Sequence, residues 1–204
     1  MRSACSSLLA APDLLPLTPD LVRSLWQHYA ERYGTKTVPK PASPLMRLSA
    51  VSLNALGYMS ADEFARYTTV IRHRIYTIRE PGSDESCLWR DVSLAVHEHQ
   101  HVVQWRREGF VRFALKYANQ HARAAYEAEA YGCDLEMAAW AGRPVPSPES
   151  LARTIAGYSC GELAVASARS ELDATAEWAN NGEVRNESSR VAVAFLTEAT
   201  GYGR

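Results

Sequence analysis

The sequence predicts a mainly α protein of the α+β class. Apolar residues recur at helical spacing through most of the 204-residue chain, and capping residues and glycine stops divide it into helix-sized segments. Only the run 68–78 has the β-branched, alternating character of a strand. The composition is ordinary for a globular chain, with 47% hydrophobic and 22% charged residues. The formal net charge of -1 supplies no long-range field to recruit nucleic acid or an anionic membrane, so neither is an expected partner.

The elements follow in order. The first 15 residues are mildly apolar, are interrupted by Pro12 and Asp13, and carry Arg2 as their basic residue. They read as a loose segment or short helix rather than a secretion signal, and no stretch approaches the roughly 18 apolar residues of a membrane span. A cytoplasmic location is therefore expected. Thr18-Pro19-Asp20 opens a helix with an N-cap, a proline at the first helical position and an acid; Gly34 stops it. Pro39, Pro41 and Pro44 predict an extended linker or surface loop. Ser60 to Glu63 is a capping box that starts a short helix. The second half of 68–78 reads as a strand, ended by Pro81-Gly82.

A long helix is expected over 87–108 with Gly109 as its stop, another over 110–117, and a third over 124–140 ending at Gly142. Ser147-Pro148-Glu149 restarts a helix, and 161–178 and 188–200 are the last two. This divides the chain into an N-terminal helix and Pro-rich segment (1–45), a core (46–142) and a C-terminal helical part (143–204) packed on the same domain. The four cysteines, Cys5, Cys87, Cys133 and Cys160, form no CxxC pair and are expected as reduced thiols.

The long helix carries His97-Glu98-His99-Gln100-His101, an HExxH motif. Residues four apart share a helix face, so His97 and His101 can present two imidazoles to one ion, and neutral imidazole suits Zn²⁺. Glu98, beside the first ligand but not bound to the metal, stands where a general base is needed to deprotonate a zinc-activated water. A catalytic zinc needs a third protein ligand, and Tyr126-Glu127-Ala128-Glu129-Ala130-Tyr131 on the following helix offers a carboxylate. His121 is another possible third ligand.

The pairing of HExxH-Val-x-Gln, His97 to Gln104, with a following E-x-E-A helix resembles the gluzincin zinc metallopeptidases in their minimal single-domain forms, over about residues 70–140. The resemblance implies a zincin-like core with a short β-sheet beside the HExxH helix and additional C-terminal helices. It implies one zinc held by His97, His101 and Glu127, with Glu129 as runner-up. The two glutamates stand about 200° apart around a helix and cannot both face the ion. Many gluzincins carry an aspartate four residues after the ligand; here that position is Tyr131, and Asp134 on the same face is the substitute to orient a ligating histidine. The metzincin pattern is excluded, because Gln104 and Arg107 occupy its glycine and histidine positions. Glu85-Ser86-Cys87-Leu88 resembles the deformylase cysteine motif only superficially.

His99 points away from His97 and His101 and is expected at the surface or behind a ligand. His28 and His73 default to structural roles, and Val102 and Trp105 to packing. The strand before the HExxH helix is either a small structural sheet or an edge along which a peptide adds as a further strand. Tyr126, Tyr131, Tyr158 and nearby arginines are the possible donors to a developing oxyanion. The expected function is zinc-dependent peptide hydrolysis on a peptide or protein substrate. Two alternatives stand beside it: a zinc-bearing structural or binding module without turnover, such as part of a phage or larger assembly, and a zinc hydrolase acting on another amide.

Overall fold

The computed structural model describes residues 15–55, 60–65 and 67–203. Most of the N-terminal segment, with Cys5, lies outside them. The first helix, α1 (Pro19–Tyr33), starts as its sequence demands. Thr18 is extended and its Oγ1 accepts from the Leu21 N–H at 3.1 Å, while Gly34, at φ 62°, closes the helix by donating to the Ala30 carbonyl. Val22, Leu25, Trp26, Tyr29 and Tyr33 form its buried face.

The proline-rich stretch is not a loop. It is strand β1 (Lys36–Pro39), a 3₁₀ turn (Lys40–Ala42) and helix α2 (Pro44–Ala55). The prolines are compatible with this because each sits where no N–H is required: Pro39 on an outer strand, Pro41 and Pro44 in first helical turns. Helix α3 (Ala61–Ala65) follows Ser60. The strand expected in the second half of 68–78 is β3 (Arg74–Thr77), and the first half adds a strand that was not expected, β2 (Thr69–Ile71), which pairs with it as a hairpin. Arg72, at φ 53°, makes the turn with His73, and because neither residue is glycine or asparagine the turn left no sequence signature. The sheet order is β1-β3-β2; β1 lies parallel to β3 with Lys36 opposite Arg74, and β2 lies antiparallel with Val70 opposite Ile75.

Helix α4 (Leu88–Glu108) enters from a 3₁₀ turn capped by Asp84, whose carboxylate accepts from the Ser86 N–H at 3.0 Å. Gly109, at φ 83°, breaks it from α5 (Phe110–Tyr117). Asn119 then caps α6 (Gln120–Trp140) on the His121 and Ala122 amides, which starts this helix four residues earlier than its apolar pattern suggests. Helices α7 (Pro148–Ala156), α8 (Glu162–Asn180) and α9 (Glu187–Thr200) complete the chain.

Two apolar cores meet at α6. The larger one joins α1, β3, α4, α6 and α9 around Val22, Leu25, Val92, Val96, Met137 and Leu196. The other joins α6, α7 and α8 around Leu135, Ile155 and Leu172. A small third cluster of Met46, Phe64 and Tyr76 ties α2 and α3 to the sheet. The ten consecutive residues Ala95 to Gln104 are all buried, so α4 is enclosed on every side. Such a helix shows no amphipathic stripe and must satisfy its polar side chains internally. The described cysteines Cys87, Cys133 and Cys160 are free thiols. Among the described residues no helix is long and apolar enough to cross a membrane.

Candidate metal centre

The crossing of α4 over α6 brings His97, His101 and Glu127 together, all three buried, with their potential ligand atoms within 4.8 Å of one another. The three groups can hold a metal ion. His97 Nε2 lies 3.8 Å from Glu127 Oε2, and His101 Nε2 lies 3.6 Å from Glu127 Oε1. The imidazole rings meet edge to face with centroids 5.1 Å apart.

Hydrogen bonds on the far side of each ring set which nitrogen faces the cluster. His101 Nδ1 lies 2.8 Å from Gln104 Oε1. The Gln104 amide nitrogen already donates to the Tyr126 carbonyl at 2.9 Å and to Glu129 Oε2 at 3.2 Å, so its oxygen is the end left to accept, and His101 carries its proton on Nδ1. His97 Nδ1 donates in the same way to Asp134 Oδ2 at 3.4 Å. Each Nε2 therefore presents a lone pair towards a carboxylate that is 1% exposed and whose Oε2 has no hydrogen-bond partner among the described residues. Three electron-pair donors facing one another in a buried space require a cation or a proton between them. In the protein without metal a proton fills part of that need. Burial opposes charging the His97 ring, yet Asp134, Glu98 and Glu127 together hold its pKa up at about 9.

Glu98 lines the same cavity, is 7% exposed, and forms no hydrogen bond among the described residues. Burial raises its pKa, and the neighbouring His97 and His101 counteract that rise. The cavity has a volume of about 430 Å³. Its walls are Phe64 and Tyr67 from the α3–β2 junction, the consecutive residues 68–72, Trp105 from α4, Phe110, Phe113 and Tyr117 from α5, and Tyr158 after α7. Successive strand residues point to opposite faces, so the three β2 residues Thr69 to Ile71, which all border one cavity, meet it along the strand's edge. β2 is the outer strand of the sheet on that side.

The remaining expected residues sort themselves by position. Glu129 is on the far side of α6's line of contact with α4. It receives both guanidinium nitrogens of Arg107 at 2.9 and 3.0 Å and the Gln100 amide at 2.8 Å, and is no part of the donor cluster. His121 is exposed and also apart from it. His99 is neither at the surface nor behind a ligand. It is 1% exposed, stacked on Tyr29 with centroids 4.2 Å apart, and bonded to the Ala95 carbonyl at 2.7 Å and Thr35 Oγ1 at 3.0 Å. Burial lowers its pKa to about 4, with the Ala95 carbonyl opposing, so it is a neutral packing residue. Its surroundings come from α1, which the HExxH pattern does not reveal.

Tyr131, standing where an aspartate was expected, packs its ring edge on His97 at 4.6 Å, and its hydroxyl is 3.4 Å from that of Tyr158. Tyr126 does not border the cavity, whereas Tyr158 and Arg72 do. Trp105, expected in packing, forms part of the cavity wall, and its indole nitrogen has no hydrogen-bond partner among the described residues. Tyr117 is the residue that sequence reasoning missed. Its hydroxyl donates to Glu127 Oε1 in a very short hydrogen bond, and burial together with the Glu127 charge raises its pKa well above the usual tyrosine value. Only its helical spacing within α5, facing α6, could have drawn attention to it. No family model, no curated protein and no solved structure matches the chain.

Proposed function

We propose that the protein is a zinc-dependent peptidase of gluzincin type, with His97, His101 and Glu127 as metal ligands and Glu98 as general base. The observation that carries this reading is the buried His97–His101–Glu127 cluster with Glu98 beside it on the wall of a substrate-sized cavity. Two imidazoles and one carboxylate match the donor preference of zinc and leave a position open for reacting species. A zinc ion held there supplies Lewis acidity and makes water acidic enough to ionise near neutral pH.

The chain's own residues provide the rest. Asp134 and Gln104 keep both ligand rings in the tautomer that offers Nε2. Glu98, with no hydrogen bond to satisfy its carboxylate, takes a proton from water and hands it to the leaving amine, so that the amide and water become an acid and an amine. The edge of β2 receives the peptide backbone as an added strand, and the aromatic wall takes apolar side chains. Tyr158 and Arg72 are the hydrogen-bond donors of the cavity suited to the carbonyl oxygen as it gains charge.

Glu98→Gln tests the assignment. The variant is expected to retain one zinc per chain and to lose peptide hydrolysis by about 100-fold or more, the scale of a missing general base. Zinc content by plasma emission and cleavage of a mixed peptide library are the two measurements. Undiminished cleavage by the variant removes Glu98 from the mechanism, and absence of zinc in both proteins removes the metal.

A further inference from the structure

On the face of α4 opposite the cavity lies a second groove, of about 620 Å³, between the end of α1, α4 and the start of α9. Five arginines line it: Arg32, Arg106, Arg107, Arg185 and Arg190. Two of them have acidic partners, Arg107 on Glu129 at 2.9 Å and Arg185 on Glu183 at 2.6 Å. Arg32, Arg106 and Arg190 have no ion-pair partner among the described residues. Arg32 and Arg106 rest on the Tyr33 ring, 5.7 and 5.5 Å from its centroid, which holds two guanidinium groups on one wall. Of the two acids that border the groove, Glu129 is taken up by Arg107, Gln100 and Gln104, while Glu187 accepts from the Tyr33 hydroxyl at 3.0 Å and keeps its charge, so the lining holds five arginines against two carboxylates.

From this geometry we infer an anion-binding site for a small molecule bearing phosphoryl groups. Like charges gathered around one concavity repel one another and focus a positive potential into it, which a multivalent anion relieves. The guanidinium fork fits phosphate oxygens two at a time. An excess of arginines over acids in so small a space favours a ligand that carries several negative charges on few atoms, as phosphoryl groups do and single carboxylates do not. A groove of this volume holds a small ligand. An extended polyanion is disfavoured, because Glu183 and Glu187 stand beside the arginines and the chain as a whole is at -1. The site is independent of whether the metal centre turns over peptides.

The test is a calorimetric titration of the 204-residue chain with inorganic pyrophosphate at about 0.15 M salt, where diffuse surface attraction is screened. One-to-one binding is expected, weakened tenfold or more by R106A/R190A. The same loss of two charges in R153A/R169A, at exposed arginines paired elsewhere with Glu149 and Asp173, is expected to leave it unchanged. Citrate is expected to bind more weakly than pyrophosphate. The inference fails if pyrophosphate does not bind, or if the two double variants bind it equally, which would mean a diffuse field or the metal cavity. It also fails if citrate binds more tightly, which would make the site one for carboxylates. R106K/R190K keeps the charge without the fork, and its intermediate affinity separates loss of the site from loss of the fold.

Discussion

Glu127 and Glu129 are two residues apart on one helix and have opposite surroundings. The Glu127 carboxylate faces two imidazole lone pairs and the Tyr117 hydroxyl, whereas that of Glu129 is fully occupied by Arg107, Gln100 and Gln104. Their alanine variants therefore differ in kind. Glu127→Ala is expected to lose stoichiometric metal, while Glu129→Ala keeps it and pays in stability, because Arg107 and two buried amides lose their acceptor. Gln104→Ala is expected to retain one metal per chain but to bind it about 10- to 100-fold more weakly, since His101 then lacks the acceptor that fixes its tautomer. Metal analysis after dialysis against a graded chelator series reads all three; equal retention by Glu127→Ala and wild type would reject the ligand assignment.

Lys40 governs an element rather than a ligand. Its ammonium group, 4% exposed, donates to the Phe64 and Tyr67 carbonyls at 2.6 Å each and to Thr69 Oγ1 at 3.0 Å, and lies 3.7 Å from the centre of the Phe64 ring. It thereby fastens the end of α3 to β2 at the rim of the cavity. Lys40→Met is expected to destabilise the protein by about 2 kcal/mol or more, leaving two carbonyls without their charged donor, and to raise KM more than it lowers kcat. Urea denaturation and peptide kinetics check the two parts. An unchanged KM would mean that the rim takes no part in binding. This joint was invisible in the sequence, as was β1, because a lysine among prolines reads as loop chemistry and both depend on partners 24 to 38 residues away. Most of the helices were legible because Thr18 and Ser147 act on amides three residues onward, and short-range chemistry is written locally; the Asn119 cap acts in the same way but lies outside the apolar pattern of α6, and α2 was hidden among prolines. The half of the site on α4 was legible for the same reason, through the four-residue spacing of its histidines. Tyr117 was not, since its importance lies in the packing of α5 on α6.

At the scale of the molecule, the cluster of His97, His101 and Glu127 joins α4 to α6, and α6 is shared by both large cores. An ion bound there ties the two together. With free zinc at a thousandfold its dissociation constant, the native state gains about 4 kcal/mol, or roughly 10 °C in melting temperature for a chain of this length. Chelation is expected to remove that gain from wild type and from Glu98→Gln but to leave Glu127→Ala unmoved, as differential scanning calorimetry would reveal; a wild-type melting point indifferent to chelator would contradict the coupling. The enclosure of α4 has a consequence for how the protein opens. Binding segments usually belong to the least stable parts of a fold, which breathe while the core stays shut. Here the ten enclosed residues Ala95 to Gln104 are the central strut against which α1, α6 and α9 pack, and they include two of the proposed ligands and the proposed base. Their amide hydrogens should exchange with deuterium only when the whole molecule unfolds, later than those of α2 or α5. The chemistry would then sit in the last part of the chain to let go, and the pliant parts would be the walls that a substrate has to pass.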